Sequence, residues 1–144
     1  MHYVSAEGIN KSYGIQPLFS DISFNIEEGD KISLVARNGS GKTTLLKGLA
    51  RGLGIKKPIT SPTFVVMKVY AVPGHKTITQ FVHVDCYRLP MAELTKIGLG
   101  DYLADPQTVV AIEWASKLKL KRKNLLRLSL TLGKKSNERV ITIN

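Results

Sequence analysis

Nine consecutive residues, Ala36-Arg37-Asn38-Gly39-Ser40-Gly41-Lys42-Thr43-Thr44, carry the strongest chemical signal in the chain. Two glycines around a serine, followed by Lys-Thr, form a phosphate-binding loop pattern, with Ala36 standing where that pattern begins with glycine. The chemistry is anion binding by main chain. Gly39 and Gly41 allow the positive φ that turns successive N–H groups inward, and a helix starting just beyond adds its positive end. Lys42 is placed to bridge the β- and γ-phosphates of ATP, and the Thr43 hydroxyl to take one position on Mg²⁺, which prefers hard oxygen ligands. Arg37, Asn38 and Ser40 complete the nucleotide-facing loop for ATP or ADP. Thr44 borders it and serves mainly as a helix residue. The plainer alternative is a Gly-rich turn with a surface lysine.

A phosphate loop needs an acid near its metal. Glu113 is the first candidate, because the apolar run Val109-Val110-Ala111-Ile112 delivers it to the end of a buried strand. Asp85 is the second. In Val82-His83-Val84-Asp85-Cys86-Tyr87 the strand period puts His83, Asp85 and Tyr87 on one face and Val82, Val84 and Cys86 on the other. One carboxylate would hold Mg²⁺ directly or through water while the other orients the attacking water; Lys42, Asp85 and Glu113 are the expected catalytic set. Their plain roles would be a capping acid for Glu113 and a salt bridge to Arg88 for Asp85. Ser61-Pro62-Thr63-Phe64 would bring hydroxyls, Thr63 among them, toward the γ-phosphate. His83 lacks a second histidine at ligand spacing and reads as structural. Trp114 is expected to be partly buried beside the nucleotide.

The elements that must position these groups follow from hydrophobic period. Residues 2–9 and 18–26 read as short strands forming a hairpin, and Lys31 to Ala36 as a strand leading into the loop. Leu45, Leu46, Leu49 and Leu53 fall at helical spacing, with Gly54 placed to stop the helix. Phe64–Val72 and Ile78–Cys86 flank a turn and predict an antiparallel pair; Pro90–Leu103 predicts a helix that breaks near Gly98 and Gly100. Thr108–Ile112 is a strand covered on both faces, and Leu126–Leu132 with Arg139–Ile143 predict a terminal hairpin. The expected fold is α/β: a three-layer P-loop NTPase domain over residues 1–144, with a mixed central sheet and antiparallel N- and C-terminal hairpins.

Composition narrows the class. A chain of 144 residues with 43% hydrophobic and 22% charged residues suits one globular domain and not a disordered one. The single Cys86 excludes an internal disulfide and a thiolate metal cage. No apolar run reaches membrane-span length and the N-terminus MHYVSAEG lacks the order of a secretory signal, so the expectation is a cytoplasmic protein. Twenty-one Lys plus Arg against eleven Asp plus Glu give a net charge of +10, which favours anionic partners. Lys117, Lys119, Lys121, Arg122, Lys123 and Arg127 form the main basic cluster, a surface suited to RNA or an acidic protein.

Two family resemblances emerge from these residues. From about Gly29 onward, GSGKTT, GLARGLGI, SPTF, HVDCYRL, GLGDYL and IEW, in that order, resemble the TsaE (YjeE) family of small bacterial P-loop ATPases. The resemblance implies a part in threonylcarbamoyladenosine modification of tRNA alongside TsaD and TsaB. It also implies ATP and Mg²⁺ on Lys42 and Thr43, Glu113 at the metal, and Asp85 supporting hydrolysis. Residues 1 to about 47 instead resemble the start of an ABC-type ATPase of the ABC-F group, through INKSYG and PLFSDISFNIEEGDKISLVARNGSGKTTLL; that likeness implies adenine stacking on Tyr13. Read together, they suggest a chimera joining two P-loop families, although no LSGGQ-like signature follows the loop. The functional expectation is a weak Mg²⁺-dependent ATPase. A nucleotide-binding chimera or designed module without turnover, a fragment-like relative of an ABC ATPase, and a basic RNA-binding protein are the alternatives.

Overall fold

The computed structural model describes residues 2–13, 16–27, 30–36, 39–62, 65–90, 93, 96–118, 120, 124–135 and 138–144. The body is a mixed six-stranded sheet in the order β4-β5-β6-β3-β7-β8. Its strands are β3 (Lys31–Ala36), β4 (Met67–Ala71), β5 (Gln80–Asp85), β6 (Thr108–Glu113), β7 (Leu125–Leu132) and β8 (Arg139–Ile143). The four central strands β5, β6, β3 and β7 run parallel, and β4 and β8 close the two edges antiparallel to their neighbours.

Each face of this sheet is covered. Helix α1 (Lys42–Gly52) packs Leu45, Leu46 and Leu49 onto Ile32, Leu34, Phe81, Ala111 and Leu128, forming the larger core. Helix α2 (Leu99–Ala104) covers the other face, where Leu99 and Leu103 join Val82, Val84, Val110 and Ile112. That is why Thr108–Glu113 is apolar along its length: β6 lies mid-sheet with every residue buried. The expected break near Gly98 occurs at that residue. Gly98 takes a φ of 71° and is the N-cap of a six-residue helix that runs through Gly100. Residues 91, 92, 94 and 95 of the expected helix lie outside the described residues.

The N-terminal hairpin is longer than its period suggests and lies outside the main sheet. β1 (His2–Tyr13) and β2 (Gln16–Glu27) pair antiparallel in a sheet of their own, with several register shifts. Ile26 from β2 is fully buried in the larger core. Among the described residues no helix is long and apolar enough to cross a membrane.

Candidate functional site

The parallel strands β5, β6 and β3 end on one side of the sheet, and their C-terminal ends assemble the site. β3 runs into the loop, and the chain re-enters regular structure at α1. Gly39 and Gly41 take φ values of 75° and 96°, with Gly41 as the N-cap of α1. A Cβ on Gly39 would meet no atom within 4 Å, so it is conformation rather than crowding that selects glycine there. The first turn of α1 contains no acid, leaving its positive end uncompensated from within the helix. Arg37 and Asn38 lie outside the described residues.

Lys42 folds back over the loop. Its Nζ donates to the Ala36 carbonyl at 2.9 Å and stands 4.7 Å from the centre of the Trp114 ring. Burial lowers the pKa of this lysine, and the nearby charges of Glu113 and Asp85 only partly offset that. Ser40 is buried beside it, and its hydroxyl has no hydrogen-bond partner among the described residues. Thr43 and Thr44 occupy the first turn of α1 and are partly buried.

Both expected acids meet here. Asp85 and Glu113 are register partners at the ends of β5 and β6, and Glu113 also pairs with Leu34 of the loop strand. Asp85 accepts from the Tyr87 N–H at 2.9 Å and from the Ser61 hydroxyl at 3.4 Å. Ser61 of the SPTF segment therefore lies beside Asp85, while Thr63 and Phe64 lie outside the described residues. Glu113 is 4% exposed, and its Oε1 lies 2.8 Å from His83 Nε2. A carboxylate only accepts hydrogen bonds, so Nε2 carries the proton of this contact. The carboxyl is thus neither a surface cap nor solvated.

Trp114 closes one side. It takes a φ of 60°, a left-handed conformation uncommon for an aromatic residue, while its N–H donates to Leu34 O at 3.1 Å. Its ring packs on Tyr87 with centroids 5.1 Å apart. The expected partial burial near the loop is therefore observed. Tyr13 lies in β1, with its side chain outside the described residues. The same holds for Lys117, Lys119 and residues 121–123 of the basic cluster, whereas Arg127 is exposed on β7.

Sequence reasoning missed two contacts. One is the contact of the buried His83 ring with Glu113, which is compatible with the structural role its lone spacing suggests but was not visible in the strand period. Arg139 of β8 donates through Nη2 to Gly39 O at 3.3 Å, a contact spanning 100 positions with no local signal. The pairing of β7 with β3 brings it there, with β8 following β7.

The residues suit a magnesium nucleotide. A buried hydroxyl without a partner, a desolvated lysine and main-chain turns at positive φ fit an anion. A threonine hydroxyl and two carboxylates are hard donors of the kind Mg²⁺ uses. Among the described residues no three His, Cys, Asp or Glu side chains form a metal cluster, and Mg²⁺ carried by phosphate oxygens needs only one or two carboxylates.

A family model for "Threonylcarbamoyl adenosine biosynthesis protein TsaE" matches residues 10–141. A "tRNA threonylcarbamoyladenosine biosynthesis protein TsaE" of Streptomyces coelicolor is 40% identical over 91 residues, covering 62% of this chain and 59% of that protein. The protein of the same name from Nostoc sp. is 35% identical over 108 residues, covering 73% of this chain and 64% of that one. The chain thus spans about six-tenths of the length of these relatives. The crystal structure of YdiB from Bacillus subtilis superposes with a TM-score of 0.62 at 30% identity, over 81% of this chain and 68% of that one. The family match starts at residue 10, so most of the segment resembling an ABC-type ATPase lies inside it, and neither that assignment nor a chimera is supported. With one family running through both the loop and the two acids, the chain belongs to the TsaE family.

Proposed function

We propose that this chain is a single-domain, Mg²⁺-dependent ATP-binding protein with slow hydrolysis, acting in the cytoplasm in threonylcarbamoyladenosine modification of tRNA beside TsaD- and TsaB-like proteins. The observation that carries the reading is the in-register pair Asp85–Glu113 at the ends of β5 and β6, the second of which pairs with the strand that feeds the loop. Magnesium-bound ATP supplies the polyphosphate and the phosphoryl group passed to water. The chain supplies the surroundings. Main-chain N–H groups of residues 39–43 and the Lys42 ammonium bind negative charge, and the Ser40 hydroxyl gains the partner it lacks. Thr43 and Glu113 are the proposed metal-side oxygens. Asp85 either shares the metal or orients the water, and Trp114 with Tyr87 shields one side of the site. The Tyr13 stacking role rested on the ABC likeness and is not carried forward. Turnover is slow because the described residues complete a binding site with little to drive water onto phosphate; a partner would supply that.

Trp114 is the only tryptophan in the chain, so its fluorescence reports the site. Titration with ATP and Mg²⁺, paired with a phosphate-release assay, should show saturable binding and weak release in wild type. Lys42→Ala should weaken binding at least about tenfold, and Glu113→Gln should keep binding while losing release. Binding without release in wild type would favour a non-hydrolysing module. No binding by calorimetry would end the reading. Rescue of a TsaE-depleted bacterium tests the tRNA-modification role.

A further inference from the structure

The second half of α1 and the segment after it enclose a cleft of about 250 Å³ with four cations in its wall: Lys47, Arg51, Lys56 and Lys57. Local sequence builds it. Lys47 and Arg51 are four apart and share one helix face, where like charges repel. Ile55 and Ile59 are buried in the larger core, which pushes the intervening Lys56-Lys57-Pro58 outward to face the helix. No carboxylate lines the cleft, and none of the four cations forms an ion pair among the described residues. At the rim, Lys68 Nζ binds the Thr60 hydroxyl at 2.6 Å and adds a fifth positive charge. A cation in the last helical turn offsets the helix dipole, which accounts for Arg51 alone. Lys47, Lys56 and Lys57 have no such explanation. Lys42 and Arg51 are separated by about 13 Å along the axis at 1.5 Å per residue, so the Arg51 end of the cleft lies away from the phosphate loop, while its Thr60 end adjoins Ser61 beside Asp85.

We propose that this cleft binds the phosphodiester backbone of RNA, an inference that rests on the tRNA-modification reading. Several unneutralised ammonium and guanidinium groups in a concave wall favour a polyanion with closely spaced charges over a single anion. Among the described residues no aromatic side chain lines the cleft, so the contact inferred there is with phosphate rather than with stacked bases. The predicted interaction is salt-sensitive and indifferent to base identity.

The test is fluorescence anisotropy of a labelled unmodified tRNA, titrated with the full chain between about 50 and 300 mM KCl. Wild type is compared with K47Q/R51Q, with K56Q/K57Q, and with K134Q/K135Q on the exposed turn between β7 and β8, which removes the same charge elsewhere. Each cleft pair should weaken binding about tenfold or more near 100 mM salt and lower the log–log salt slope by about 1.5, as two lost phosphate contacts require. The turn pair should leave the slope in place. Equal losses from all three pairs would reduce the effect to bulk charge and overturn the proposal. So would displacement of RNA by polyglutamate at matched charge, which points to an acidic protein. Trp114 fluorescence on the same samples separates the two levels. A wild type that binds ATP and rescues a TsaE-depleted strain but ignores tRNA overturns the cleft and leaves the function standing; cleft-dependent RNA binding without ATP affinity does the reverse.

Discussion

His83 is fully buried, with Nε2 bonded to Glu113 and Nδ1 lacking a partner among the described residues. A ring held on one side only serves that one contact, and hydrogen bonds from outside a metal site set the orientation of the ligands within it. His83→Leu should therefore cut ATP turnover by about 10- to 100-fold, while His83→Gln, whose amide nitrogen can donate from a similar reach, should recover much of it. Equal losses in both, tracking thermal stability, would make the residue purely structural. Lys42 makes a pH prediction. Its pKa is lowered by burial below the ordinary 10.5, so between those values the unfolded chain binds more protons than the folded one. Stability of the nucleotide-free protein should rise with pH across that window, and Lys42→Met should flatten the rise in urea titrations. ATP affinity should move oppositely, since phosphate binding needs the ammonium. It should decline with rising pH earlier than an ordinary lysine would give.

At the other end of β3 an element is held by a residue that its own pattern misplaces. Lys31 is a charged residue opening the largely apolar run of β3, yet it is 1% exposed and donates to Asp105 O at 2.9 Å and Thr108 O at 2.7 Å. It ties the start of β3 to the turn between α2 and β6. Asp105 reinforces the turn: its carboxylate accepts first from the Thr108 hydroxyl and then from the Gln107 N–H, and these with Lys31 lower its pKa below the ordinary 3.8. Lys31→Met should cost about 2–3 kcal/mol, because two carbonyls lose a charged donor, and the shift in urea midpoint reads it. The Asp105 share is present above the unfolded pKa and fades as pH falls through the lowered folded value, so Asp105→Asn should flatten the acid limb. The elements that sequence made legible are those whose period reports their own burial. They include Leu45, Leu46 and Leu49 on α1, the buried run of β6, and the alternation of β7 and β8. Asp85 and Glu113 were legible as candidates because each ends such a run. Lys31, the His83–Glu113 contact and the reach of Arg139 to Gly39 depend on strand order, which no local window contains.

For the whole molecule, the open mechanical question is how the β1–β2 sheet belongs to the body. It shares no ladder with the six-stranded sheet, and an isolated two-stranded hairpin is marginal in water. Its stability must then be drawn from docking. Ile26, at 0% exposure, sits in the same core that carries α1, Ile32 and Leu34, so one side chain of the hairpin helps fill the core on which α1 packs. If hairpin and body fold as one cooperative unit, Ile26→Ala should lower global stability by about 2–4 kcal/mol, the usual cost of cutting a buried branched side chain back to a methyl. A single urea transition with its slope unchanged should report it, and amides of β1, β2 and α1 should lose exchange protection together. If the hairpin is an independent appendage, the urea midpoint should stay within error and only β1 and β2 should exchange faster. That result would also separate the N-terminal segment energetically from the site, whereas a shared loss would make it part of the support for Lys42.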